Sequence, residues 1–516
     1  FSDLKLLKQF SGHARKGEII EGLDPRVLRE IPSYVPGLTP TVPGHEVACR
    51  IVAVGSDVRR HRLDERCLVQ TDYRALRTAG SNAAFGYNFE GGLQEYVLMD
   101  ERVIIDPESG ERFLISVGED LSASAVALVE PWACVEGSYA NAERQGPKHG
   151  GRMLVVVQDG LAPEGLAGMF GDAKPRSITV LDGGGTALSA LMPREVSVEV
   201  AEDLPSLPDE SFDDIVYFGA ERRVIELLND KVAPGGIINI VTAGRKIGEP
   251  VSVGIGRVHY GMTRWVGTAG NRAVDSYQHI PPSGEIRPGE KIAIVGAAGP
   301  MGQMHVIRNI CQGVPGISIV AADVDDARLA TLNAKALLPA QARRVPLELI
   351  NTTRQPLPRR FSYYALLAPI GKLVADAIQN SLEGCVINIF AGIPAPTRQE
   401  LDLDLYIANR CFMFGTSGSL IRDMEIVLEK VEQGRLDTNC SVDAIAGMAG
   451  AAEALAAVEN RTLAGKIVVY PILRDLGLIP LTEMSKHFPG VSAKLDHGQW
   501  TKAAEAELLR SSASSL

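Results

Sequence analysis

The sequence predicts an α/β protein: a β-rich, barrel-like N-terminal domain followed by two tandem doubly wound parallel-sheet modules. Three observations lead to this. The first 120 residues are strand-like and rich in turns, a strand–glycine turn–helix–strand pattern sets in near residue 150, and that pattern occurs twice. A chain of 516 residues is also too long for a single core.

The N-terminal segment contains "HEVACRIVAVG" (45–55) and "LQEYVLMDERVII" (93–105), apolar runs of strand length separated by Gly, Asn and Pro. "SASAVALVEPWACVEGSYANAE" (122–143) changes to a helical period. The first module opens with "MLVVVQDGLAPEGLAG" (153–168) and the second with "KIAIVGAAGPMGQMHV" (291–306). Two further landmarks recur in the same order. Ile-Asn-Ile triplets stand 149 residues apart, in "GGIINI" and "GCVINI", and "VGTAGN" (266–271) precedes "FGTSGS" (414–419) by 148. Matching apolar strands alone would not reproduce matching Gly-Thr-Ala/Ser-Gly turns, so a tandem duplication is expected. Beyond it, 421–436 reads as a helix, 449–471 as a second helix followed by the closing strand "GKIVVYP", and the tail 476–516 as helical with a disordered Ser-Ser-Ala-Ser-Ser at its end. The expected domains are 1–148, 149–285, 286–425, a return to the first domain over 426–475, and an extension over 476–516.

Composition narrows the function classes. Hydrophobic residues make up 45% and charged residues 22%, ordinary for a globular enzyme. A net charge of −11 and only 5% aromatics argue against nucleic acid or an anionic membrane surface as the main partner. No apolar run approaches membrane-span length. Seven dispersed cysteines without a Cys-x-x-Cys pair read as reduced thiols, so a cytoplasmic location is expected. The chain begins with Phe1 rather than Met, and a preceding segment is expected.

Glycines between a strand and a helix permit a tight turn and close approach of backbone to a pyrophosphate, which the helix N-terminus favours. The second module has Gly296-Ala-Ala-Gly299-Pro300-Met301-Gly302 directly after its first strand, and Asp323 at the end of the next. An acid there accepts hydrogen bonds from ribose hydroxyls and repels a 2′-phosphate, favouring NAD over NADP. In the first module, Gly160-Leu-Ala-Pro-Glu-Gly165 puts Ala162 where a middle glycine would stand and adds the carboxylate of Glu164. That copy either binds nothing, binds weakly, or serves as a spacer, and NAD is placed on the second.

Gly44-His45-Glu46 and the buried-looking Glu130 of "VEPWAC" supply three donors of the kind a zinc ion takes. By local chemistry alone Glu130 is equally an acid of a helix's first turn, since Pro131 suits that position. His259 and Tyr260 are either substrate contacts or interface residues.

The order of Gly-His-Glu, Val-Gly-Ser, "EGGLQEYV" (90–97), Glu-Pro-x-Ala, a nucleotide module and "GKIVVYP" resembles the zinc-dependent medium-chain alcohol and polyol dehydrogenases. "FSDLK" and "EPWACVEGSY" resemble the sorbose-1-phosphate reductase branch in particular. The resemblance covers roughly residues 1–475 and implies a GroES-like catalytic domain with Rossmann-type nucleotide modules, two here where the family normally has one. It implies a zinc site of His45, Glu46 and Glu130, completed by a cysteine one residue before Phe1. It further implies Ser2 as the hydroxyl that takes the substrate proton and Asp3 as the acid that orients a ligand, with Lys5 where some relatives have a relay histidine. Only Cys67 lies where the family's structural zinc needs four cysteines, so that second zinc is expected to be absent. The implied activity is hydride transfer between NAD(H) and a polyol, ketose or sugar phosphate, in a homo-oligomer. A non-redox epimerase with tightly bound NAD and a non-catalytic nucleotide-binding scaffold are the competing readings.

Overall fold

The structure is a computed structural model and describes residues 3, 22–31, 33–34, 41–171, 173–182, 196–358, 360–416 and 418–513. The chain divides into two compact units. One comprises Phe1–Gly137, Gly299–Met304 and Gly418–Leu516, the other Ser138–Ala298 and His305–Ser417.

In the first unit, β1 (Ala48–Arg50), β2 (Arg66–Val69) and β5 (Leu114–Ser116) form an antiparallel sheet, and β3 (Asp72–Arg77) with β4 (Asn82–Ala84) forms a two-stranded ribbon. Leu23, Tyr73, Phe85, Phe89 and Phe113 close one core over them. The stretch 93–105, expected as strand, forms no ladder. Asp100 interrupts it: its carboxylate accepts from Arg102 N at 3.0 Å and its carbonyl accepts from Val103 N at 2.9 Å, folding a turn in mid-run.

The second unit holds two six-stranded parallel sheets. The first comprises β6 (Arg152–Val157), β7 (Ser177–Asp182), β8 (Ser197–Val200), β9 (Phe212–Phe218), β10 (Val232–Val241) and β12 (Arg264–Thr268), with β11 (Val251–Val253) outside it. The second comprises β13 (Lys291–Val295), β14 (Ser318–Asp323), β15 (Leu347–Asn351), β16 (Phe361–Leu366), β17 (Ser381–Ile389) and β19 (Phe412–Phe414), with β18 (Gln399–Leu401) outside it. Counted from the start of each module, both sheets have the order 3-2-1-4-5-6, the doubly wound nucleotide-binding arrangement. Continuous apolar runs such as Met153–Val157 suit strands covered on both faces. Both Ile-Asn-Ile triplets lie on the fifth sheet strand of their module, so the sequence repeat is a structural repeat. The two sheets also share one core, with Leu154, Ile238 and Trp265 in the same cluster as Ala293, Ile387 and Met413.

The modules differ where the sequence expected a helix in each. After β13 the chain turns into the helix Pro300–Cys311. Between β6 and β7 the described residues form only a single 3₁₀ turn, Ala167–Met169. Pro163 and the glycines at 160, 165, 168 and 171 explain the loss, because each glycine costs a helix roughly 1 kcal/mol relative to alanine and a proline about 3.

The C-terminal part of the first unit forms the sheet β21–β20–β22, from β20 (Val442–Ala446), β21 (Lys466–Val469) and β22 (Ile479–Pro480). The tail is helical as expected. However, its last helix, Lys502–Ala513, takes in Ser511–Ala513, part of the serine-rich stretch expected to be disordered. This helix is tied down by Glu505, which is buried. Its carboxylate accepts from Ala123 N at 2.5 Å and Ser124 N at 2.8 Å, at the start of the helix Ala123–Ala127, and from the Tyr470 hydroxyl at 2.8 Å. The carboxylate thus satisfies donors that a helix N-terminus leaves open. Glu505→Ala strands those buried donors and is expected to lower the unfolding free energy by about 3 kcal/mol, with Glu505→Gln losing less, as read from denaturant unfolding of the full chain.

Candidate metal centre

The centre lies within the first unit and begins with a close approach of two backbones. Gly44 has φ +102°, and a Cβ there would meet Leu93 N at 2.8 Å. A Cβ on Gly91 would in turn meet Pro43 O at 2.6 Å. Without those side chains, Gly91 N donates to Val42 O at 2.7 Å, Gly92 N to Gly44 O at 2.8 Å and Leu93 N to Pro43 O at 3.0 Å. The glycines of "PGHE" and "EGGL" are therefore one device, which fixes the direction in which the chain leaves Gly44 and so aims His45 and Glu46.

Asp3 supports the turn from outside. Its Oδ1 accepts from Gly44 N at 2.8 Å and from His45 Nδ1 at 2.9 Å. Holding the proton on Nδ1 leaves Nε2 as the nitrogen able to bind a metal. Glu130 is the second residue of the helix Val129–Ala140 and is 6% exposed. That helix is anchored by Trp132, whose Nε1 donates to Ser441 Oγ at 2.9 Å. The Cys134 thiol, one turn on, lies 3.6 Å from Glu130 Oε1. One donor atom from each of His45, Glu46 and Glu130 comes within 4.8 Å of the others. Residues 85 positions apart thus meet in one place, and the structure sets Glu130 in the cluster rather than at an exposed helix start.

Lys466, which sequence reasoning passed over, completes the electrostatics. It opens β21, and its Nζ stands 2.5 Å from Glu46 Oε1. The only sequence signal for it was its place in the "GKIVVYP" strand, read there as closing structure.

The five charges perturb one another. Burial pushes Asp3 up, but its hydrogen bond to His45, the His45 charge and the Gly44 N–H outweigh this and bring it down to about 2. Burial pulls His45 down, yet the bond to Asp3 and the charges of Asp3, Glu130 and Glu46 raise it to about 9. Burial likewise opposes the charged form of Glu46, but Lys466 and His45 hold its pKa below the usual range. Glu130 goes the other way. Burial dominates, the Glu46 charge adds to it, and His45 and Lys466 compensate only in part, leaving Glu130 at about 7.

This is the donor set and the charge imbalance that a divalent cation satisfies: one imidazole held at Nδ1 by Asp3, whose Nε2 can exchange its proton for a metal, and two carboxylates, of which the buried Glu130 is short of positive charge. A carboxylate has two oxygens, so Lys466 at one oxygen of Glu46 does not exclude a cation at the other. Ser2 and Lys5 lie outside the described residues.

The expected nucleotide turn follows β13. Gly296 has φ +84°, and a Cβ on it would meet Ala368 N at 3.3 Å. Asp323 ends β14, and its carboxylate accepts from Ala298 N and Val324 N, both at 2.8 Å, so it holds the turn's backbone. Gly299 precedes the helix Pro300–Cys311, whose first turn contains Pro300, Met301 and Gly302. In the first module, the Glu164 carboxylate accepts from Asn271 Nδ2 at 2.6 Å and its carbonyl accepts from Ala273 N at 3.0 Å. His259 is buried in the helix Ile255–Tyr260, with Nδ1 3.0 Å from Ile389 O at the end of β17, so it packs between the two sheets.

Comparison with known proteins adds an independent line. Residues 18–108 match the alcohol dehydrogenase GroES-like domain. An uncharacterised Escherichia coli protein, YggP, is 25% identical over 296 residues, covering 50% of this chain and 66% of that protein. The mannitol-1-phosphate 5-dehydrogenase of Aliivibrio fischeri is 25% identical over 309 residues, covering 52% and 69%. The L-sorbose 1-phosphate reductase of Klebsiella pneumoniae is 26% identical over 261 residues, covering 46% and 62%. The chain thus spans about two thirds of the length of the relatives it matches. The glycine-locked turn that carries His45 and Glu46 falls inside the matched domain, and the chain carries the alcohol dehydrogenase GroES-like domain together with two Rossmann-type sheets.

Proposed function

We propose that the chain is an oxidoreductase that transfers a hydride between NAD(H) and a polyol, ketose or sugar phosphate, with zinc held by His45, Glu46 and Glu130. The observation that carries this reading is the meeting of those three side chains, in a part-buried and under-neutralised cluster, on an alcohol dehydrogenase GroES-like domain. The substrate class is supported by the two sugar-phosphate enzymes among the relatives. The nicotinamide cofactor is supported by the glycine turn at Gly296–Gly302 and by Asp323, the acid at the end of β14 whose carboxylate holds that turn's backbone.

When bound, zinc would supply a Lewis acid that lowers the pKa of the substrate alcohol, and NAD the hydride acceptor. The chain's own residues prepare the site. Asp3 keeps the proton of His45 on Nδ1 and orients the ring. Lys466 offsets the charge of Glu46, so that it can stand beside the buried Glu130. Burial leaves Glu130 at about 7, so its charged form gains most from a cation placed beside it. In this reading the Ser2 hydroxyl takes the substrate proton.

Purified full chain is expected to carry one zinc per chain by plasma mass spectrometry. His45→Ala should lower occupancy more than tenfold, and Asp3→Asn should weaken zinc about 10–100-fold, the usual effect of removing a histidine's carboxylate partner. Full zinc retention by His45→Ala would place the metal elsewhere.

A fluorescence titration with NADH is expected to show one site per chain. Gly299→Leu, in the turn of the second module, should weaken binding more than tenfold, and Glu164→Ala in the first should leave it unchanged. Mannitol 1-phosphate, sorbitol and sorbose 1-phosphate, assayed at the nicotinamide absorbance band, test the substrate class. No change in NAD(H) with any of them would contradict the redox reading.

A further inference from the structure

The first module has lost the parts that would hold a nucleotide but has kept the surface that meets its twin. Its crossover helix is reduced to one 3₁₀ turn. Its loops close on one another at the carboxyl ends of the strands, where Glu164 takes Asn271 and the backbone of Ala273, and the Gln158 side chain accepts from Ala220 N at 3.1 Å. A Cβ on Gly165 would meet the Arg272 side chain and Ala273 N at 3.1 and 3.2 Å, so the place a phosphate would approach is filled by the protein itself.

The contact between modules, in contrast, obeys a symmetry. Beyond residue 250, counterparts in the two modules stand 148 residues apart, as the Gly-Thr of 267–268 and 415–416 shows. Strands β11 and β18 pair antiparallel as Val251 with Leu401, Ser252 with Glu400, and Val253 with Gln399. Ser252 therefore faces its own counterpart, while Val251 faces the counterpart of Val253 and Val253 that of Val251. Only a ladder crossed by a twofold axis at Ser252 and Glu400 pairs this way.

The rule extends beyond the ladder. A Cβ on Gly267 would meet Ile407 Cγ1 at 2.8 Å, and a Cβ on Gly415 would meet His259 Cα at 2.7 Å. Gly267 and Gly415 are counterparts, and so are His259 and Ile407. Asp404 accepts from Ile247 N at 3.1 Å and Gly248 N at 2.8 Å, and Gly256, the counterpart of Asp404, sits against the carbonyls of Pro394, Ala395 and Thr397. Residue i contacting j, with the counterpart of j contacting the counterpart of i, is the signature of an isologous interface, normally made by two identical subunits.

We infer that the first module is a built-in partner: it occupies, within one chain, the twofold face through which the second module would otherwise pair with a second copy. The shared core makes the contact permanent, and an apolar edge that would invite association is covered at all concentrations. The inference rests on the pairing geometry and is independent of the zinc and NAD assignments.

Cysteines placed on the axis test it. Full-length Ser252→Cys/Glu400→Cys, and as a second pair Val253→Cys/Gln399→Cys, are oxidised mildly beside the unsubstituted chain and the single variants, with the melting curve of each checked for folding. The expected result is a bridge within one chain for a double variant, seen as a single-chain mass less two hydrogens and a bridged peptide in the digest, with no covalent dimers from Ser252→Cys or Glu400→Cys alone. A twofold between separate chains would set like positions face to face. Disulfide-linked dimers from either single variant, bridges between chains in the double variants, or failure of both folded double variants to bridge would overturn the inference.

Discussion

A carboxylate taken out of water must find positive charge or surrender its own, and the first unit is arranged around that constraint at Glu130. The helix that carries it is locked in place by Trp132, and the glycine-bounded turn of residues 43–46 brings His45 and Glu46 to it. Two acids and one imidazole are thus held together before any ion is considered. Lys466 offsets one acid, Asp3 fixes the imidazole, and Glu130 is left raised to about 7. The deficit that a cation would fill is therefore a property of the protein frame. The donors are borne by a tight turn and a helix start, both set by backbone packing, so the site is pre-organised.

The second unit meets a different demand. A six-stranded parallel sheet has two open edges, and an apolar edge in water recruits whatever can pair with it. Here one edge of each sheet is turned towards the other through β12 and β19, with the β11–β18 ladder on the local twofold. A duplicated module that keeps only this face can lose its crossover helix without cost to the other copy. The structural asymmetry (one module with a glycine turn and helix, one with a plugged loop) follows from that division of labour.

Much of this was legible in the sequence, because the signals were local or repeated. Constant spacing exposed the duplication, and the Gly-Thr and Ile-Asn-Ile landmarks lie on equivalent strands of both sheets. Ala162 and Glu164 marked the first glycine turn as the poorer one, although the loss of its helix was missed. A proline and four glycines in twelve residues outweigh the apolar runs on either side of them. The run at 93–105 was misread for a related reason, since a single aspartate able to bond its own backbone outweighs the β-propensity of its neighbours. Lys466 was illegible because its partner is 420 residues away, and ion pairs at that separation leave no periodicity to read. The sequence leaves His259 open between substrate and interface, and only the packing of Ile389 and Gly415 against it places it between the sheets.

The central claim is that His45, Glu46 and Glu130 form a metal centre whose histidine binds through Nε2. X-ray absorption at the zinc edge of the zinc-loaded full chain tests it most directly. The account predicts nitrogen and oxygen neighbours at about 2.0–2.1 Å together with the outer-shell scattering of a single imidazole, which disappears in His45→Ala. A shell of oxygen alone, or an imidazole signal that survives His45→Ala, would contradict it.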